Sequence, residues 1–547
     1  MPASSARSWT TGMVPGGSAS SVLSTLVSIS VGTPSLQPVF RKEDQAPSFG
    51  YRVSTSYQVL FDLRTAGRLQ HPCTWRPWTS LSRVPLPMNL FQQYILHMKN
   101  KCKRFQRSRK KFLRPDALPL HCRQVVYRRG RLKSDRLSGM PRIAVVGGGP
   151  SGFMAALTAA SSSPGSTVDV FDAGVPLATI LRTGGGRCNL TNALCQIREL
   201  AAHYPRGGSF LLSALSRFGT AEAMEWFQSR GLALVEEEEG RVFPRSGRAE
   251  DVRDLLASEA RKLGVRVHAR SPVLRAERLD QGFHVTASRA GGHFDRLVIA
   301  TGGDRKEGEG SGYRLARSLG HSVTPLAPSL TGLVTAEPWP GTIAGLTMRG
   351  ARLKAFFEGK QAADERGDLL FTHEGVSGPL AFRVSSRCAF LRITPRSPLH
   401  MELSALPDKS RDEIEESLIA GLAARPRQRV VSALRVLVPR SLADVVLTLA
   451  GVDPGLSGSQ LAREKRKTIA RLVDRLPLTV IARQKAGEMV TAGGIPVSEV
   501  DPRTMESRLA PGLYFCGEVL DIDGFTGGFN LQAAWSTGYL AGLAAGL

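Results

Sequence analysis

The residues of this chain that can do chemistry gather around glycine-rich turns. The first is Gly147-Gly148-Gly149-Pro150-Ser151-Gly152, with Asp172 a short strand and helix further on. Gly147 permits a tight turn, Gly149 lets a pyrophosphate approach the backbone, and Gly152 lets the following helix pack closely. Phosphates then meet the free N–H groups of a helix N-terminus, where the dipole favours negative charge. Asp172 is spaced to accept a hydrogen bond from a ribose hydroxyl. A second turn, Gly184-Gly185-Gly186-Arg187-Cys188-Asn189-Leu190-Thr191-Asn192, can press amides against a flat or anionic group, with Arg187 available to a phosphate. Arg187 as a solvated side chain on a plain turn is the alternative.

The elements needed to position these groups can be read around them. Arg142–Val146 is an apolar, β-branched run of strand length, followed by an Ala-rich helical stretch, a Pro-Gly turn and a strand at Thr167–Phe171. Helical spacing recurs over 209–231 and 250–263, and strand patterns at 265–268 and 283–287 suggest an accessory sheet. Asp295–Ala300 is a buried strand breaking at Thr301-Gly302-Gly303. Gly308, Gly310 and Gly312 follow no strand, which makes a second dinucleotide site there a weak reading. Residues 329–480 read as an insert with β-structure first and helices over 408–475. It contains His373, the best candidate for proton transfer because imidazole titrates near neutrality; a hydrogen-bonded loop histidine is the competing reading.

The C-terminal stretch decides the cofactor expected. Leu513–Cys516 is a short strand that delivers Gly517 and Glu518, and Asp521, Gly528, Asn530 and Leu531 lead into a helix of small residues. A strand offering acids to a ribityl chain, then a helix N-terminus aimed at a flavin ring, suits an anionic reduced flavin. The two ends together predict FAD rather than a nicotinamide cofactor alone. NAD(P)H is then expected only as a transient electron donor.

Composition sets the bounds. With 547 residues the chain has room for two or more domains. Residues 1–139 hold 23 Lys+Arg against 5 Asp+Glu, so most of the net charge of +25 lies there and says little about the remainder. That basic extension is expected to be disordered; it reads as a transit segment, as a nucleic-acid-binding arm, or as sequence upstream of a start at Met140. No apolar run reaches the ~18 residues of a membrane span. The seven cysteines are scattered with no C-x-x-C pair, against a disulfide framework, a zinc site or a dithiol reductase. A small-molecule substrate, no metal, no membrane, no nucleic acid and a cytoplasmic location are expected, with an organelle if the extension is a transit segment.

The blocks GGGPSGFMAA, TGGGRCNLTN, GRVFPRSGRAEDV, LVIATGG, LLFTHEGVSGP, VTAGGIPVSEVDPRTMES and LYFCGEVLDIDGFTGGFNLQAAWSTGYLAG resemble, in order, the BaiN-like (YhiN-type) NAD(P)/FAD-dependent oxidoreductases, a group that includes aminoacetone-oxidase-like flavoproteins. The resemblance runs from about Met140 to Leu547. It implies an α/β fold: a glutathione-reductase-type Rossmann FAD-binding domain in two parts, 140–328 and 481–547, interrupted at 329–480 by a small β-barrel-like part and a helical part. It also implies FAD contacts at Gly147, Gly149, Ser151, Gly152, Asp172, Gly186, Arg187, Cys188, Asn189, Thr301, Gly302, Gly517, Glu518, Asp521, Gly528, Asn530 and Leu531. Two departures stand out. Leu177-Ala178-Thr179 replaces a Gly-Arg-Lys-like run, and Glu374 stands where an aromatic is common. The activity implied is hydride transfer between FAD and NAD(P)H or a small organic substrate, or else amine oxidation by oxygen. A non-catalytic or nucleic-acid-associated flavoprotein is a reading from another class.

Overall fold

The computed structural model describes residues 140–303, 311–425, 427–484 and 490–547, together with the backbone of two short strands nearer the N-terminus. The chain divides into two units, Met1–Tyr127 and Arg128–Leu547. In the first, Thr25–Ser28 pairs antiparallel with Gln58–Phe61; the rest of the basic extension, and the expectation of disorder attached to it, lies outside the described residues.

The second unit is built on a five-stranded parallel sheet. Its strands are β1 (Arg142–Val146), β2 (Thr167–Phe171), β3 (Arg266–His268), β4 (Arg296–Ile299) and, late in the chain, β11 (Leu513–Phe515). The order across the sheet is β11-β4-β1-β2-β3. Residues Ile143 to Val146 are all buried, as expected of a central strand covered on both faces. The segment expected in an accessory sheet at 265–268 is instead the edge of this main sheet. There Arg266 and His268 pair with the buried Asp169 of β2 across the parallel ladder. Phe283–Ala287 does join a separate three-stranded antiparallel sheet. The helical run at 209–231 breaks in two at Phe218-Gly219, giving Gly208–Arg217 and Thr220–Gln228.

The first helix, Pro150–Ser162, and the last, Phe529–Ala545, pack against each other so closely that glycine is required. A Cβ on Gly538 would lie 2.5 Å from the Ser151 carbonyl oxygen, and one on Gly542 would lie 2.2 Å from that of Ala155. This explains the small-residue composition of the last helix and carries the C-terminal segment onto the first glycine turn.

Between β4 and β11 a closed barrel interrupts the Rossmann unit. Its strands are β5 (Leu333–Thr335), β6 (Thr347–Phe357), β7 (Lys360–Thr372), β8 (Gly375–Ser377), β9 (Leu399–Ser404) and β10 (Leu476–Arg483). They close in the order β5-β8-β7-β6-β9-β10, all antiparallel. Period-two burial fills the interior: Leu399, Met401 and Leu403 on β9 face Leu476, Leu478 and Val480 on β10. The helical part, inserted between β9 and β10, begins at Arg411–Ala424, whose start is a reciprocal cap between Ser410 and Glu413. The Rossmann unit and the insert each have their own apolar core.

Candidate functional site

The glycine turn leaves β1 at the centre of the sheet. Gly147 has φ +112, and a Cβ there would lie 2.2 Å from the Ala300 carbonyl oxygen; one on Gly152 would lie 1.9 Å from that of Gly147. Both positions are closed to any side chain. Gly149 is different. It caps the first helix, and the nearest atom to a Cβ built on it is the Thr179 hydroxyl at 3.9 Å. The first intrahelical bond runs from the Phe153 amide to the Gly149 carbonyl (2.9 Å), so the Ser151 and Gly152 amides precede the ladder. Asp172 braces this turn: its carboxylate accepts from the amides of Gly148 and Gly174, each at 2.7 Å.

Thr179 belongs to one of the two departures. Leu177 is buried and takes a left-handed φ of +61, its amide bonded to the Gly148 carbonyl (2.7 Å). The Thr179 hydroxyl is the atom that stands nearest to Gly149 on this side.

The second turn is left-handed at Gly184, Gly185 and Gly186, and again at Cys188. A Cβ on Gly185 would meet nothing within 4 Å, and one on Gly186 only the Leu181 carbonyl oxygen at 3.9 Å. Arg187 pairs with Glu237 and lies 4.2 Å from the centre of the Phe243 ring. Cys188 is fully buried, and burial pushes its thiol up to about 12, so it holds a neutral S–H rather than a reactive thiolate. Cys188, Cys388 and Cys516 are free thiols.

Buried polar bonds tie this turn to the last helix. The Asn189 amide, turned to satisfy both of its groups, accepts from the Gly528 N–H and donates to the Thr191 carbonyl, each at 3.1 Å. Thr191 donates to Gln532 (2.5 Å), and the Trp535 indole N–H donates to the Leu190 carbonyl (2.9 Å). The helix opens at left-handed Gly528, and its first intrahelical bond is from the Gln532 amide to the Gly528 carbonyl. The amides of Phe529, Asn530 and Leu531 therefore precede the ladder. The Asn530 side chain is spent locally, bonding the Gly524 amide and carbonyl at 2.8 Å each.

Thr301 and Gly302 end β4. A Cβ on Gly302 would meet nothing within 4 Å, whereas one on the neighbouring Gly303 would strike Thr491 and Glu518. Glu518 accepts from the Thr491 amide (2.8 Å), and Gly517 packs against the Ser151 hydroxyl. Asp521 is the least satisfied acid of the group. Burial raises its carboxyl above the usual carboxylate range, Arg206 opposes that rise, and Asp523 adds to it. The nearby Gly493 amide and Thr324 hydroxyl pull the other way, yet Oδ1 has no hydrogen-bond partner among the described residues.

These features fit FAD. The glycines facing open space (Gly149, Gly185, Gly186 and Gly302) are ones that a phosphate or ring would approach, two helix N-termini present amides, and a buried acceptor stands unpartnered at Asp521. His373 lies exposed in the turn between β7 and β8, its carbonyl packed over Gly341, beside the equally exposed Glu374. Among the described residues there is no cluster of three metal-ligating side chains and no helix long and apolar enough to cross a membrane.

Sequence reasoning missed Arg206 and Asp523, the ion pair beside Asp521. A signal was present in Tyr204-Pro205-Arg206-Gly207-Gly208, a turn that places an aromatic and an arginine between fixed elements. Tyr204 bonds the Phe529 carbonyl (2.7 Å), and a Cβ on Gly207 would strike Ile522.

Comparison with known proteins places the chain. Residues 141–544 match the family model described as the HI0933-like protein Rossmann domain. A 3-dehydro-bile acid Δ4,6-reductase of Clostridium scindens is 32% identical over 411 residues, covering 74% of this chain and 99% of that protein. Ribosomal RNA dihydrouridine synthases are 31% identical in Escherichia coli (72% of this chain, 95% of the relative) and 29% identical in Haemophilus influenzae (73% and 97%). The chain belongs to the HI0933-like Rossmann family, the BaiN/YhiN-type group, with the family match spanning the glycine turns, the barrel and the last helix.

Proposed function

We propose that this FAD-dependent oxidoreductase is a reductase that adds a hydride and a proton across a carbon–carbon double bond conjugated to a carbonyl, with NAD(P)H as transient donor. One observation carries the reading. Relatives named for a bile acid and for a uridine in ribosomal RNA have little in common except the bond reduced, a ring double bond conjugated to a carbonyl.

Bound FAD would supply the hydride chemistry. This chain would hold it by the amides of Gly149, Ser151 and Gly152 toward the pyrophosphate, by Gly186 to Asn189 and Thr301-Gly302 toward the ring system, and by Glu518 and Asp521 toward the ribityl chain. The amides of Phe529, Asn530 and Leu531 at the last helix would stabilise negative charge on the ring. Asp172, already bonded to two amides, retains acceptor capacity for a ribose hydroxyl.

The test is an anaerobic absorbance titration of the FAD-loaded protein with NADPH and then NADH, followed by cyclohex-2-enone. Bleaching by a nucleotide and recovery on adding the enone is the expected result. A flavin that stays oxidised with both nucleotides and bleaches with a small amine would establish the oxidase instead.

A further inference from the structure

Outside the glycine turns, an open cavity of about 730 Å³ lies between the β6–β7 turn and the loop that precedes β9. Phe357 and Phe390 give it two aromatic walls; Arg392 and Arg396 stand at its edge opposite a single acid, Glu358. Phe390 is 51% exposed, an unusual position for a large apolar ring. Arg392 and Arg396 are exposed and have neither an ion-pair nor a hydrogen-bond partner among the described residues.

The ring is held rather than loose. Arg483 reaches the loop base and donates to the carbonyls of Cys388, Ala389 and Leu391, at 2.6, 3.0 and 3.1 Å, bracketing Phe390. Behind it the Arg206 guanidinium lies 5.5 Å from the ring centre, and Arg206 is paired with Asp523, two residues from Asp521. The platform is thereby linked through one side chain to the candidate flavin site.

Charge is segregated in the same direction. Residues 329–484 carry 23 Lys+Arg against 16 Asp+Glu, whereas the rest of 140–547 carries 26 of each, so the insert supplies the whole net charge of the unit. One exposed aromatic, Phe390, beside the half-buried Phe357 and two unpaired arginines, on a positively charged body, suits a single strand: a base stacks on the exposed ring and phosphates take the planar guanidinium forks. A steroid would call for enclosed apolar walls instead.

We infer that this cavity is a subsite for single-stranded RNA, with a base on Phe390 and the flanking phosphates on Arg392 and Arg396. The inference rests on the double-bond-reductase reading only for what is done with the strand once bound.

The experiment is fluorescence anisotropy of a short labelled U-rich RNA with the full-length, FAD-loaded protein, between about 50 and 200 mM salt. Phe390→Ala is expected to weaken binding about 5- to 150-fold without changing the salt slope, as loss of one stacked base would. Arg392→Gln/Arg396→Gln is expected to weaken binding and to flatten the log–log salt slope by about 1.4, two phosphates' share for a single strand. Bound FAD and melting temperature certify folding, and Phe390→Leu replaces the alanine variant if that one unfolds. RNA that does not bind the wild type, variants that bind like the wild type, or a steroid carboxylate whose binding needs Phe390 where RNA has none would each overturn the subsite. Enone reduction by the wild type is read separately, so a reductase that ignores RNA and an RNA binder that ignores enones give different results.

Discussion

Asp523 is fully buried and takes the Arg206 guanidinium on both of its carboxylate oxygens. Ser329 donates to the same carboxylate (2.9 Å), and Arg206 also reaches the carbonyl and hydroxyl of Ser386 at 3.0 and 3.1 Å. The pair thus joins segments of the Rossmann unit to the helix Gly378–Arg387 of the insert.

Breaking that pair from one side leaves a buried charge without compensation, a loss of about 3–5 kcal/mol. Arg206→Met is therefore expected to lower the denaturation midpoint sharply. It is also expected to raise the Asp521 carboxyl further, because Arg206 opposes the effect of burial there. Chemical denaturation of the FAD-loaded protein reads the first effect. A midpoint within experimental error of wild type would show that the pair does not bind the insert to the Rossmann unit.

The glycines of the first turn separate two roles that the sequence alone runs together. Gly152→Ala forces a Cβ to 1.9 Å from a carbonyl oxygen and should prevent folding of the turn, giving insoluble or FAD-free protein. Gly149→Ala has φ −84 and no neighbour nearer than 3.9 Å. It should fold like the wild type and lose FAD affinity at least tenfold, because its methyl occupies the space the pyrophosphate needs; a tenfold loss is about 1.4 kcal/mol. Circular dichroism with flavin fluorescence checks both. An alanine at Gly149 that binds FAD normally would remove the cradle from that position.

The first glycine turn was legible because strand, turn, helix and acid are all local, and each carries its own sequence signal. The barrel was legible as an insert through short alternating runs, but its closure depends on β5 pairing with β10 across about 150 residues, which periodicity does not encode. The edge strand β3 was misassigned because an exposed three-residue run is claimed by its long-range partner Asp169, not by its own pattern. The side chains of Asn530 and Arg187, whose types suit a cofactor, also bond Gly524 and Glu237, partners that residue type alone does not name. His373 drew attention only through its chemistry, and nothing in a sequence told that the turn holding it is exposed.

His321 is buried, bonding Glu499 through Nδ1 (2.7 Å) and Ser507 through Nε2 (2.8 Å). Burial lowers its imidazole below the usual 6.5, with Glu499 opposing. The unfolded chain therefore takes up a proton more readily than the folded one, and stability falls as pH drops through 6.5 toward the lower folded value. Melting temperature should decline between about pH 7 and 5.5, and the decline should be smaller in His321→Gln. Equal slopes in the two proteins would mean that another group governs the acid limb.

Asp521 offers the most direct test of the C-terminal half-site. Its Oδ1 lacks a partner although burial has already raised its carboxyl above the usual range. A buried acceptor of that kind costs free energy until a donor reaches it, and a ribityl hydroxyl would be such a donor. Hydrogen bonds to charged groups contribute about 1.5–3 kcal/mol, so Asp521→Ala should weaken FAD binding by about 10- to 150-fold. Asp521→Asn keeps one acceptor oxygen without the charge and should fall between. Because the carboxyl titrates above the ordinary range, mild acidification should weaken FAD binding in the wild type and leave the asparagine variant flat. Calorimetric titration of apoprotein with FAD at two pH values reads both effects. Unchanged affinity in Asp521→Ala would place the ribityl chain elsewhere and leave the unpartnered oxygen to a bound water.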